Sequence, residues 1–283
     1  MITAQEAPPR SMLDLAPHFG DEGRARAFAS FLDGHGGESH IVAVQDFPDP
    51  DAISSAMAYR AMAAEHGIDV DVVYEGRISH QENLALVNIL SIDLIRFSDG
   101  VDLDRYDGAV YIDNQGTTTR LSGRLEEAGV PALAVIDHHA PQGVLQPELT
   151  DVRPVGAAAT IMVDYLRSGA VLELDPEDPG HGDLATALVH GLRTETNGLV
   201  RAGAEELLAA AYLSRLQDPE LLEGIMRVQR SHGTMDVIET ALSDRLIRGG
   251  ISLAGVGYLR HADRDAIPQA ADFLITEENV HTA

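Results

Sequence analysis

Apolar positions fall into two alternating kinds of run along the first half of the chain. Ile41 to Val44, Val70 to Tyr74, Ala109 to Ile112 and Ala132 to Ile136 are short, continuous and β-prone. That is the pattern of strands buried on both faces of a parallel sheet. Stretches with helical spacing separate them: Asp21 to Leu32 ahead of the first, then Ala52 to His66, His80 to Leu90, and about Thr118 to Ala128. The second of these stops at Gly67, a residue that readily takes the left-handed conformation closing a helix. Strands and helices alternating at this spacing predict βαβ units, hence an α/β fold with a parallel sheet flanked by helices.

After Gly156 the pattern becomes mostly helical, over Ala157–Arg167, Leu184–Leu192, Ala204–Arg215, Glu220–Arg230 and Asp236–Ile247. Gly249 and Gly250 break it, Ile251 to Leu259 reads as a strand, and Ile267 to Ile275 as a helix. One strand and one helix cannot bury a core alone. This tail is therefore expected to dock on the first domain or to be the start of a smaller α/β domain that is cut short. The expected division is an N-terminal extension with a helix over residues 1–37, the main domain over 38–232, a connecting helix over 233–248 and a partial C-terminal domain over 249–283.

Composition narrows the chemistry. The 283 residues suffice for one large domain or a domain plus a smaller unit, and an ordinary apolar fraction of 45% allows a normal core. There is no cysteine, which excludes thiol nucleophiles, disulfides and thiolate metal sites. All 20 basic residues are arginine, which removes the phosphate-gripping lysine of P-loops, Schiff-base chemistry and Ser–Lys dyads. A formal charge of −25 repels long polyanions, so no track for duplex nucleic acid is expected. A small anion differs, because bound metal inverts the local potential. The acidity by itself is equally accounted for by solubility or by a salty or GC-rich host. No run approaches the roughly 18 apolar residues of a membrane span. Met1 to Arg10 lacks the apolar stretch of a secretory signal, so the cytoplasm is the expected location.

Three of the four apolar runs end in acid. The first leads into Gln45-Asp46-Phe47-Pro48-Asp49-Pro50-Asp51, the third ends Ile112-Asp113-Asn114-Gln115, and the fourth Ile136-Asp137-His138-His139. Open α/β sheets bind ligands beyond the carboxyl ends of their strands. Taken singly, Asp-Pro-Asp is an ordinary turn and an aspartate after a strand an ordinary helix cap. Taken together on neighbouring strands, these groups would repel one another unless divalent cations intervened. Mixed Asp/His shells suit Mn²⁺, Mg²⁺ or Fe²⁺ better than structural zinc.

At these residues the sequence resembles the DHH phosphoesterases, in particular the branch acting on very short RNAs and 3′,5′-bisphosphonucleosides. Pro48-Asp49-Pro50-Asp51-Ala52-Ile53 resembles the family's first motif, Asp113-Asn114-Gln115 the second, and Asp137-His138-His139 the motif that names it. Val155 to Thr160 resembles a segment that usually follows, and Thr194-Glu195-Thr196 stands at the fourth motif. The likeness spans roughly Ile41 to Leu216, with its elements in order.

The resemblance implies a two-metal hydrolase, with a water between the ions attacking phosphorus in line. Asp49 would bind one metal and Asp51 the other, with Asp113 bridging and His138 completing the second site. His139 would contact the substrate phosphate, and Asp137 would orient the histidine pair. Two positions depart from the pattern. Gln45 stands where a histidine ligand is usual, so its carbonyl would be a poor ligand or Asp46 would contribute instead. Glu195 stands where an aspartate is usual. A glycine-rich segment expected in the family's second domain does not appear after Gly255 to Leu259 and Ile267 to Asp272. Arg193 and Arg201, near the fourth motif, are candidate phosphate contacts whose ordinary use is surface ion pairing. The expected partners are a short oligonucleotide or nucleotide substrate, with a homodimer allowed and no membrane. The alternatives are a nucleotide sensor whose metal site has decayed, and a relative of the pyrophosphatases sharing the same core.

Overall fold

The computed structural model describes residues 16–283 except 79, 99, 228, 229, 261, 262 and 265. The start of the expected N-terminal extension, through residue 15, lies outside the described residues. The chain divides into two units, Met1–Ile78 with Leu86–Ile225, and Ser79–Ala85 with Met226–Ala283.

In the first unit, β1 (Ser39–Ala43), β2 (Asp69–Tyr74), β3 (Ile95–Arg96), β4 (Gly108–Ile112), β5 (Ala132–Asp137) and β6 (Leu149–Val152) form one sheet. Its order is β3-β2-β1-β4-β5-β6, and every neighbouring pair is parallel. The helices of the chain through Met226 are α1 (Glu22–Gly34), α2 (Pro50–Glu65), α3 (Gln81–Ile89), whose residues through Ala85 fall in the second unit, α4 (Leu121–Ala128), α5 (Ala158–Ser168), α6 (Pro179–Glu195), α7 (Ala204–Leu213) and α8 (Pro219–Met226). Among the described residues no helix is long and apolar enough to cross a membrane.

The apolar runs are continuous because each strand is covered on both faces. Val42, Val110, Ile112, Ala134 and Ile136 join one core with Phe28, Tyr59, Ile161 and Leu188 from the helices. Ile41, Ala43, Ala109, Tyr111 and Val135 point the other way, against Leu121 and Leu125 of α4. Successive side chains of a strand face opposite sides, so both sets must be apolar.

Two strands escape the apolar pattern. β3 has only two residues, and β6, Leu-Thr-Asp-Val, lies at the sheet's edge with a mixed composition. The helix expected over Leu184–Leu192 begins earlier, because Asp178 caps α6 through Gly180 N at 2.8 Å and Pro179 sits in its first turn. The helix expected over Glu220–Arg230 ends at Met226, and residues 228 and 229 lie outside those described.

In the second unit, α9 (His232–Asp244), β7 (Leu246–Arg248), β8 (Ile251–Leu253) and α10 (Ala266–Leu274) surround a small cluster of Val237, Ile238, Ala241, Ala266, Ala270 and Leu274. The sequence reading is corrected here. The expected helix stops at Asp244, before Ile247, and the expected strand over Ile251–Leu259 is confined to Ile251–Leu253, paired antiparallel with Leu246–Arg248. Gly249 and Gly250, taken as a break, are the two-residue turn of that hairpin, with φ of 59° and 80°. Such a turn requires positive φ at both central residues.

One close approach in the first unit positions the site. A Cβ on Gly191 of α6 would lie 2.5 Å from Ser54 Oγ, 3.1 Å from Pro50 O and 3.2 Å from Asp51 Cα, at the start of α2. Gly191→Ala should therefore cost about 1–3 kcal/mol in urea unfolding through overpacking. Gly182→Ala on the same helix meets only Leu216 O at 3.5 Å and should be neutral or mildly stabilising. Equal effects at both positions would show that helix packing does not set the contact.

Candidate metal centre

The chain lays down β1, β2 and β3 outward in one direction, then returns to place β4 on the other side of β1. The strand order therefore reverses between β1 and β4, and a crevice opens beyond their carboxyl ends. The loops after β1, β4 and β5 meet there.

Asp113 follows β4 with φ of 57°, a left-handed conformation that aspartate tolerates better than most residues. Its N–H donates to Ile136 O at 2.9 Å, locking the turn to β5. The next residue ties the turn to β1, since Asn114 Nδ2 donates to Ala43 O at 2.9 Å and to Ile112 O at 3.0 Å. The Asp113 carboxylate is thereby held buried at the centre of the crevice.

Asp49 and Asp51 enter from the start of α2. Asp49 Oδ1 accepts from Ala52 N at 3.0 Å as the helix cap, leaving Oδ2 toward the crevice. Asp51 is fully buried and accepts from Ala158 N at 2.7 Å and Ala159 N at 2.8 Å. These are the first amides of α5, whose N-cap residue Ala157 makes no side-chain cap. Asp51 supplies that cap from another element, and the positive end of α5 favours its charge.

The Asp-His-His triplet closes the crevice from β5. Asp137 Oδ1 accepts from His138 N at 2.8 Å and from the His139 ring Nδ1 at 2.8 Å, while Oδ2 takes Gln115 Nε2 at 2.7 Å. Asp137 is thus a brace for the two histidines. His138 Nδ1 lies 3.2 Å from Val155 O, which fixes the proton on that nitrogen. Its Nε2 then faces Asp113 Oδ1 at 3.3 Å and Asp51 Oδ2 at 3.7 Å. Both Nε2 and Asp113 Oδ1 are buried and neither makes a hydrogen bond. Asp113, Asp137, His138 and His139 offer ligand atoms all within 4.8 Å of one another.

Charge at the crevice is unbalanced. Burial, then the charge of Asp113, pushes the Asp49 carboxyl up to about 6. Burial and the charges of Asp113 and Asp49 likewise raise Asp51. For His138, burial pulls downward, but the adjoining Asp113, with Asp51 and Asp137, outweighs it and takes the imidazole to about 9. Glu195, the last residue of α6, belongs to the same field: burial and Asp113 raise its pKa, while His138 and His139 pull it back. Carboxylates raised by burial and by one another, beside an imidazole whose charge they favour, fit a hard divalent cation, which would take the place of the bound protons.

The other expected residues have different surroundings. Gln45 turns its amide nitrogen, not its carbonyl, to Asp113 Oδ2 at 2.6 Å and Asp49 Oδ2 at 3.3 Å. Asp46 is engaged by Arg120, with Nε to Oδ2 at 2.6 Å. Arg193 lies in the last turn of α6, half-buried. Arg201 is exposed beyond that helix, and its guanidinium makes no ion pair with the cluster among the described residues. Sequence reasoning gave no role to Gln115, to the Val155 carbonyl or to the Ala158 and Ala159 amides. The first lies inside a motif, but backbone groups leave no residue-type signal.

No family model matches the chain. It is 39% identical over 238 residues to an uncharacterized protein of Methanocaldococcus jannaschii, covering 83% of this chain and 46% of that one. Over 126 residues it is 33% identical to a probable manganese-dependent inorganic pyrophosphatase of Bacillus cereus, covering 44% of this chain and 39% of that one. The chain therefore spans less than half the length of these curated relatives. An exopolyphosphatase-related protein from Bacteroides fragilis shares its fold, with a TM-score of 0.70 at 15% identity over 92% of this chain and 78% of that one.

The raised groups fix the pH dependence of the metal-free protein. Asp49 lies above its unfolded value, so its contribution is full below about pH 4 and lost as pH rises through 6. His138, also raised, contributes fully below about pH 6.5 and loses this as pH rises through 9. Both slopes have the same sign. Metal-free protein should lose on the order of 2 kcal/mol between pH 5 and 7.5, and Mn²⁺ should raise Tm more at pH 7.5 than at pH 5. Asp113→Asn should flatten the pH slope and abolish the Mn²⁺ shift. An unchanged Mn²⁺ shift in that variant would place the ion elsewhere.

Proposed function

We propose that the chain is a metal-dependent phosphoesterase of the DHH family that hydrolyses phosphoester bonds in short oligonucleotides or small nucleotides. The substrates are nanoRNAs, 3′,5′-bisphosphonucleosides or cyclic dinucleotides. The observation that carries this reading is the pair of buried, unbonded atoms Asp113 Oδ1 and His138 Nε2, which converge with Asp51 where strand order reverses. The similarity to a manganese-dependent pyrophosphatase over 126 residues and the fold shared with an exopolyphosphatase-related protein support the family assignment.

Asp49, Asp51, Asp113, His138 and Glu195 are the residues that would hold divalent cations, Mn²⁺ ahead of Mg²⁺ or Fe²⁺. Such cations supply water of lowered pKa and neutralise phosphoryl oxygens. The chain's own part is placement and proton handling. Asp137 accepts from His139 Nδ1 at 2.8 Å, and the ring is half-exposed, so its other nitrogen is free to meet substrate. With Asp137 fixing the ring through Nδ1, His139 Nε2 would meet a phosphoryl or departing oxygen. Gln115, held by Asp137 and by Gln142 N at 2.8 Å, keeps that brace from turning.

A nucleoside-bearing substrate is favoured by a cavity of about 530 Å³ that shares Gln115 with the centre and is lined by Val135, Val144, Leu145, Tyr165 and Arg24. Mostly apolar walls suit a base. Inorganic pyrophosphate has no part to place there, and the chain has no lysine to grip it. A pyrophosphatase nonetheless remains the second reading, because of the similarity to the Bacillus cereus protein.

With Mn²⁺, the protein should hydrolyse a diadenylate or adenosine 3′,5′-bisphosphate faster than pyrophosphate. Asp113→Ala should reduce turnover to background, and His139→Ala should lower kcat by about 10²-fold or more. Normal turnover in Asp113→Ala sinks the assignment of the site. Preferential release of phosphate from pyrophosphate selects the second reading.

A further inference from the structure

The donor groups of the centre are not equally open to a cation, a point that rests on the metal-centre reading above. Gln45 Nε2 lies 2.6 Å from Asp113 Oδ2 and 3.3 Å from Asp49 Oδ2. An amide nitrogen offers two protons and no lone pair for a metal. Its orientation follows from its neighbours. Both are carboxylate oxygens, which only accept when ionised, so turning the amide over would then set Oε1 against two oxygens. The nitrogen therefore occupies the meeting point of the two carboxylates that a first ion would have to join.

The other side of Asp113 is different. Oδ1 is buried without a hydrogen bond, and so is His138 Nε2, 3.3 Å away. Asp51 Oδ2 lies 3.7 Å from the same nitrogen. Val155 O holds a proton on Nδ1, so the Nε2 proton is the one that a cation would displace to reach a lone pair. Asp113 is thus asymmetric, with one oxygen satisfied by an amide and one left for an ion.

We propose that Gln45 stands in for one of two metal ions, so that the centre holds a single divalent cation on Asp113 Oδ1, His138 Nε2 and Asp51. The amide is neutral and gives a directional but weak positive potential. With Asp49, Asp51, Asp113 and Glu195 converging on one doubly charged ion, the site keeps a negative balance. A singly charged phosphodiester meets less repulsion in such a field than a polyanion such as pyrophosphate or a 3′,5′-bisphosphonucleoside. Among the substrates proposed above, this narrows the class to those with a diester linkage, nanoRNAs and cyclic dinucleotides, ahead of the bisphosphonucleosides.

The test uses the full chain, stripped with chelator and equilibrated with Mn²⁺. Ions at the centre are counted by elemental analysis as the difference between wild type and Asp113→Asn, which removes any ion bound elsewhere from the count. One ion and an uncoupled six-line Mn²⁺ electron paramagnetic resonance spectrum are expected. Gln45→His, which supplies a lone pair, should add a second ion and a spin-coupled spectrum, and should raise pyrophosphate hydrolysis relative to a diester by at least tenfold. Two ions or a spin-coupled spectrum in wild type overturns the proposal while leaving the phosphoesterase reading intact. No difference between wild type and Asp113→Asn overturns both. Because the wild-type count alone decides the first point, the proposal stays testable even where Gln45→His fails to fold.

Discussion

Mutual repulsion among carboxylates gathered at the ends of three adjacent strands is the constraint around which the first unit is organised. Asp51 and Asp113 are buried, and burial and Asp113 push the Asp49 carboxyl up to about 6. Such a cluster is costly in an empty fold and tolerable only with compensation. The chain distributes that compensation among unlike partners. A helix terminus serves Asp51, a cap bond serves Asp49, backbone and ring N–H groups serve Asp137, and a glutamine amide serves half of Asp113. What is left unserved, Asp113 Oδ1 with His138 Nε2, is where the proposed cation would bind.

Elsewhere in the same unit the chain solves the same problem with arginine. Arg153 is buried, with Nε to Asp151 Oδ1 at 2.9 Å, Nη2 to Asp151 Oδ2 at 2.6 Å and Nη1 to Asp164 Oδ2 at 2.7 Å. Tyr165 and Arg24 complete the shell of Asp151. The contrast is informative. Where a carboxylate pair is structural, fixed planar cations meet it, Arg153 joined by Arg24 at Asp151 and Arg167 at Asp164. At the crevice Asp113 Oδ1 has no such partner among the described residues, and in the proposed reading that role falls to something that can exchange.

The sheet was legible because its four central strands are apolar on both sides, which leaves little else for Ile41–Val44 or Ala109–Ile112 to be. β6 was not, since an edge strand reading Leu-Thr-Asp-Val carries Asp151, whose partners come from α1, α5 and the chain just beyond the strand. The hairpin at Leu246–Leu253 was missed because a glycine pair marks a turn without saying which flanks pair. At the centre, acidic strand tips announced their convergence through spacing alone. The direction of the Gln45 amide could not be read from residue type, because glutamine offers a donor and an acceptor and only the surrounding oxygens choose between them. The support of Asp51 by α5 was equally silent, being carried by amides common to every residue.

Asp51 has a double allegiance. Its two oxygens terminate α5, and that helix packs through Ile161, Met162 and Tyr165 into the main core. Any ion drawing on this carboxylate competes with, or is reinforced by, the seating of an entire helix. Occupancy of the crevice and the seating of α5 would therefore be linked through this one carboxylate, whichever sign the linkage takes.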